Sequence, residues 1–224
     1  MIAASVPPRE VAIPVGRVTL PGTLASPASP RGIVLFAHGS GSSRSSPRNR
    51  FVADVLVAAG LATLLFDLLT PVEDRTYANR FDIALLTTRL VGATAWLATE
   101  PTLATLPVGC FGASTGAAAA LDAAAAAGTR VRAVVSRGGR PDLARALARV
   151  SAPTLLLVGG EDTEVIELNR EAKAKMRCLC EIAIVPGATH LFEEPGTLEA
   201  VAVAARDWFL RHLQNPPPAP GRRV

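Results

Sequence analysis

Six short runs of apolar, largely β-branched residues recur along this chain, each followed by a segment with helical spacing. That alternation constrains the fold more than any other feature. The runs are residues 31–37, 61–66, 107–111, 131–136, 153–158 and 181–185. Arg-Gly-Ile-Val-Leu-Phe-Ala at 31–37 shows no polar residue on every second position, as expected of a strand buried on both faces. Between and after them, helices are expected over 47–59, 81–97, 114–127, 141–148, 164–176 and 197–213. In the first of these, Phe51, Val52, Val55, Leu56 and Ala59 repeat at helical spacing, and Gly60 supplies the C-terminal stop. Short buried strands alternating with helices form a parallel, doubly wound α/β sheet. Residues 11–13 and 17–24 stand outside the pattern. They read as an antiparallel hairpin turning near Gly16, with a bend at Pro21-Gly22.

Composition narrows the function classes. Hydrophobic residues make up 49% of the 224 and charged residues 19%, enough apolar surface for one compact core over residues 1–214. The run at 60–66 stops at Asp67, far short of a membrane span. The first nine residues carry neither a basic cluster nor a long apolar stretch, so no secretion signal is read there and a cytoplasmic location is expected. The odd set Cys110, Cys178 and Cys180 suits reduced thiols. No metal site is expected, because Cys178-Leu-Cys180 has no second pair and three histidines are too few to complete one. The formal charge of +4 comes from dispersed arginines, with Lys173 and Lys175 the only lysines, and just seven Phe, two Trp and one Tyr are available to stack on bases. Neither nucleic acid nor a membrane is expected as a partner. Residues 215–224 (Asn-Pro-Pro-Pro-Ala-Pro-Gly-Arg-Arg-Val) are proline-rich and read as a disordered tail.

In open α/β sheets the reactive groups gather beyond the carboxyl ends of the strands. The residues that follow each run are therefore informative. They include His38-Gly39-Ser40-Gly41, Asp67, Gly112-Ala113-Ser114-Thr115-Gly116, Arg137-Gly138-Gly139-Arg140, Gly159-Gly160-Glu161-Asp162 and Gly187-Ala188-Thr189-His190. A serine, an acid and a histidine all reach one edge. G-x-S-x-G between a strand and a helix is a nucleophile elbow: glycines on either side let the two elements pass, and the serine stands at a helix N-terminus whose N–H groups can receive an oxyanion. The plainer reading is a helix-capping serine with incidental glycines. His190 is the base by elimination, since His38 precedes the elbow in a glycine loop and His212 lies in the last helix. Asp162 is the expected acid, with Glu161 and Glu164 close by and Asp142 as a rival after the preceding strand; Asp67 comes too early and reads as structural.

Together, the His38–Gly41 loop, the Gly112–Gly116 elbow, Gly160-Glu161-Asp162 and Gly187-Ala188-Thr189-His190 resemble the α/β-hydrolase superfamily, most closely its short, lidless dienelactone-hydrolase-like branch. The resemblance spans roughly residues 10–213 and is specific to the fold rather than to a substrate. It departs in one respect: the branch carries a cysteine nucleophile where this chain has Ser114, and Cys110 lies inside the strand. What the resemblance implies is a serine hydrolase of small esters, lactones or thioesters, in which His190 takes the Ser114 proton, Asp162 orients the imidazole, and the N–H groups of Thr115 and Ser40 hold the oxyanion. No cofactor is implied. Arg44, Arg48 and Arg50 follow the oxyanion loop, and Arg137 and Arg140 follow a strand end, so any could meet an anionic substrate, although a solvated basic rim explains them as well. A non-catalytic binding protein on the same fold is the alternative from another class, and acyl transfer or perhydrolysis the alternative within the enzymes.

Overall fold

A computed structural model of the chain describes residues 5–126 and 130–213. Eight strands form one sheet in the order β1-β2-β4-β3-β5-β6-β7-β8. These are β1 Ser5–Val15, β2 Val18–Pro27, β3 Ile33–Ala37, β4 Ala62–Phe66, β5 Val108–Ala113, β6 Val131–Arg137, β7 Thr154–Gly159 and β8 Cys180–Val185. β1 pairs antiparallel with β2, and β2 antiparallel with β4; every later pairing is parallel. The helices are α1 Pro47–Ala58, α2 Pro71–Asp74, α3 Ile83–Trp96, α4 Thr115–Ala125, α5 Thr163–Lys175 and α6 Thr197–His212. This is the α/β-hydrolase architecture, led in by the hairpin.

Alternation along each strand divides the core into two layers. Leu35, Leu64, Cys110 and Val134 face Leu86 and Leu90 of α3 and the alanines of α4. Val34, Phe36, Leu65, Phe111, Val135 and Leu157 face Val52 and Leu56 of α1 and Val201, Trp208 and Phe209 of α6. Ala117, Ala118, Ala119 and Ala120 are fully buried. Side chains this small let α4 lie close against the sheet, and alanine also favours the helix itself. Among the described residues no helix is long and apolar enough to cross a membrane.

The structure corrects four expectations about the elements. The hairpin is longer than residues 11–13 and 17–24: Val11, Ile13 and Val15 are buried while Ala12 and Pro14 are exposed, and the period-2 pattern resumes in β2 at Leu20, Gly22 and Leu24. Pro21-Gly22 is not a bend. Pairing of β2 with β4 begins at Gly22, so Pro21 lies just outside that ladder and its missing donor costs nothing there. The expected helix at 141–148 is instead two single turns of 3₁₀ helix, Pro141–Leu143 and Leu147–Arg149. The amides of Arg145 and Ala146 donate to the Asp122 carboxylate, at 2.9–3.1 Å, and so are drawn out of any helical ladder. Lastly, β8 is an edge strand paired only with β7, and most of its residues are at least partly exposed rather than buried on both faces. The tail read at residues 215–224 lies outside the described residues.

Candidate active site

Every polar residue expected at the site stands on the carboxyl edge of the parallel strands. Ser114 joins β5 to α4 with φ 50° and ψ −122°, a conformation that L-residues rarely adopt. Its neighbours make that turn possible. A Cβ on Gly116 would stand 2.1 Å from the Ala37 carbonyl oxygen, and one on Gly112 would stand 2.4 Å from the Ala117 Cα. Any side chain at either position would force β3, β5 and α4 apart. The Ser114 carbonyl accepts from the amides of Ala117 and Arg140, both at 3.1 Å, and its own amide donates to the Arg137 carbonyl at 3.3 Å. The strained residue is thus fixed from both sides. Ser114 makes no side-chain cap bond to α4, so the plain capping reading does not describe it.

His190 Nδ1 lies 2.7 Å from Asp162 Oδ2, the separation at which an Nδ1–H donates to a carboxylate and leaves Nε2 for another proton. Asp162 sits where it would cap α5, yet it makes no capping bond and its carboxylate turns to the histidine instead. The rival acid is committed elsewhere: Asp142 accepts twice from the Arg140 guanidinium, at 2.8 and 2.7 Å. The segment carrying His190 is anchored along its length. The amides of Gly160 and Glu161 donate to the carbonyls of Val185 and Ala188, and the Thr189 amide and hydroxyl donate to the Glu194 carboxylate at 3.1 and 2.6 Å. The Thr189 hydroxyl is the main reason the Glu194 pKa lies below the ordinary carboxylate value. No spacing rule pointed to Glu194; its part depends on a loop conformation that the sequence does not encode locally.

The two residues expected to supply oxyanion donors touch each other. The Ser40 amide donates to Thr115 Oγ1 at 3.0 Å, so in the free protein that N–H is satisfied by a side chain. His38 supports the same loop from below. Its Nε2 accepts from the Leu68 amide at 3.1 Å, which leaves Nδ1–H to donate to the Gly39 carbonyl at 3.0 Å. Burial lowers the His38 pKa, keeping the ring in the neutral form that this pattern requires. Cys110 has no chemistry to offer: it is fully buried, and burial pushes its thiol up to about 12.

Three of the arginines singled out by position behave differently. Arg44 pairs with Glu10, donates its amide to Asp67 and reaches Thr23. Arg140 is held by Asp142. Arg137 is not part of any solvated rim: only 7% of it is exposed.

Comparison with known proteins bears on the fold and the family. The model of the dienelactone hydrolase family matches residues 20–215. A crystal structure of dienelactone hydrolase from Anabaena variabilis superimposes with a TM-score of 0.89 at 57% identity, covering 92% of this chain and 99% of that one. A cold-adapted esterase from an Arctic intertidal metagenomic library shares the fold, with a TM-score of 0.76 at 21% identity over 92% of this chain and 94% of its own. Proteins from two Mycobacterium tuberculosis strains, CDC 1551 and H37Rv, are 62% identical over 221 residues and are provisionally named as phosphoribosyl transferases. The match covers 97% of this chain but 50% of theirs, so the chain spans about half the length of these curated relatives. By the extent of the family match and the identity of its relatives, the chain belongs to the dienelactone hydrolase family.

Proposed function

We propose that this chain hydrolyses small carboxylic esters, lactones or thioesters through an acyl-serine intermediate. The observation that carries the reading is the 2.7 Å contact between Asp162 and His190 Nδ1, on the edge where the elbow presents Ser114. In this mechanism His190 Nε2 removes the Ser114 proton as Oγ attacks the ester carbonyl. Asp162 holds the imidazole in the tautomer with Nδ1 protonated and stabilises the imidazolium that forms. The oxyanion is received by the Thr115 amide at the start of α4 and by the Ser40 amide, which exchanges Thr115 Oγ1 for the substrate oxygen. His190 then returns the proton to the departing alcohol, and the same groups activate water to release the acid.

The dienelactone hydrolase and esterase names of the structural neighbours support ester chemistry. The phosphoribosyl transferase name belongs to chains about twice as long, of which this chain matches half. Three free cysteines suit a reducing compartment, in keeping with a cytoplasmic enzyme. A fluorophosphonate probe tests the reading directly: labelling is expected at Ser114, abolished in Ser114→Ala and sharply slowed in His190→Ala. An unlabelled wild-type protein, or Ser114→Ala activity within tenfold of wild type on acetyl to butyryl esters, overturns it.

A further inference from the structure

Arg137 ends β6 directly below the segment that carries His190. A Cβ on the next residue, Gly138, would lie 3.0 Å from the His190 carbonyl oxygen and 3.7 Å from its ring Cε1. Ser136 turns toward α4, since its Oγ lies within 1.9 Å of where a Gly139 Cβ would stand, beside Ala117. Strand alternation therefore sends Arg137 to the opposite face, the one covered by α1 and α6. There its guanidinium lies over the Phe192 ring, 5.9 Å from the centroid. Its Nε and Nη1 are buried and, among the described residues, have no hydrogen-bond partner.

The surroundings make this lack of a partner harder to sustain. Arg48, the second residue of α1, is close enough that its charge helps lower the Arg137 pKa, after burial, to about 10. The Arg48 Nε is also buried without a partner, while its Nη1 is taken by the exposed Glu193 at 2.7 Å. The first turn of α1 holds no acidic residue, so the positive end of the helix adds to the same field. Arg48 has one exposed carboxylate, Glu193, on its outer side, while Arg137, the buried member of the pair, has no anionic partner among the described residues. Buried guanidinium groups are ordinarily paired, because an uncompensated charge away from water is strongly unfavourable.

We propose that Arg137 and Arg48 form a site for one small oxyanion of the carboxylate or phosphate class, set beneath the His190 segment. Arg137 offers charge-assisted N–H donors at the unpartnered Nε and Nη1, and Arg48 adds a second cation from α1. The anion ties α1, β6 and the 190–193 segment together behind the catalytic histidine. Its source is either a free anion or the carboxylate of a substrate whose ester reaches Ser114.

Binding is read without catalysis, by thermal unfolding of the full chain in rising inorganic phosphate at constant ionic strength. Phosphate stabilises many proteins nonspecifically, so the readout is the difference between wild type and variant. At concentrations far above Kd the wild-type Tm should rise by about 4 °C or more relative to Arg137→Met. Arg48→Gln, at a partly exposed position, should lose most of the same shift and serves if Arg137→Met does not fold. Equal phosphate shifts in wild type and in whichever variants fold overturn the proposal. A second arm assigns the source. If phosphate competes with a carboxylate-bearing ester and not with its neutral isostere, the substrate supplies the anion; if it stabilises without competing, the anion is free.

Discussion

At the scale of single residues, the site depends on which partner each acid takes. Asp162 and Asp142 follow neighbouring strands and are chemically identical, but one carboxylate meets an imidazole and the other a guanidinium. Their substitutions should therefore separate cleanly. Asp162→Asn is expected to fold normally and to lose on the order of 10⁴-fold in kcat, because the amide no longer fixes the histidine tautomer. Asp142→Asn removes only the partly exposed pair with Arg140, which is worth about 1 kcal/mol or less, and should leave kcat within about threefold of wild type. Steady-state kinetics on a short-chain ester measures both, and a reversal would move the acid to the end of β6. That Ser114, Asp162 and His190 reach one edge was legible from sequence because each lies within five residues of the end of its strand. The burial of Arg137 was not, because it depends on the position of Phe192, more than fifty residues away, and an arginine at a strand end reads as solvated by default.

At the scale of elements, the buried strands were legible because a parallel strand covered by helices on both faces must be apolar at nearly every position. The same logic fails at β8, where the sequence keeps the apolar run but the sheet simply ends. It also fails at 141–149, where helical spacing is present but the Asp122 carboxylate, from α4, takes the amides of Arg145 and Ala146. That contact has a measurable consequence. Asp122→Ala leaves two amides without their acceptor in a partly covered turn, at a cost of about 1–3 kcal/mol. For a chain of this size, Tm should fall by roughly 2–10 °C, with activity at 25 °C retained. An unchanged Tm would mean that water replaces the carboxylate fully.

At the scale of the whole molecule, what lies over the site decides which acyl groups it accepts. Residues 67–82, between β4 and α3, form the longest connection on that edge, and they are built into the body. Thr70 and Glu73 close a capping box on α2, Glu73 pairs with the buried Arg89 of α3, and Arg80 holds the Asp74 carboxylate through two bonds and its carbonyl through a third. Burial opposes the Glu73 charge, yet the Thr70 amide and hydroxyl, together with Arg89, more than offset it and keep its pKa below the ordinary value. A segment fixed by so many charged contacts cannot swing over a long acyl chain as a lid does. It does present Val72, Tyr77 and Phe81 to solvent, with the two rings tilted against each other at a centroid distance of 5.2 Å, a side of the segment that its several charged residues did not reveal. Such open surface removes only part of a chain from water. A buried CH₂ is worth about 0.8 kcal/mol, roughly fourfold in kcat/KM, only when it is fully covered. Each added carbon should thus gain a shrinking fraction of that and then nothing, while the cost of ordering the chain continues. In a series of p-nitrophenyl esters, kcat/KM is expected to be highest from acetyl to butyryl and to decline beyond about six carbons. A maximum at ten carbons or more would show that residues 67–82, or chain beyond those described, close over the acyl group after all.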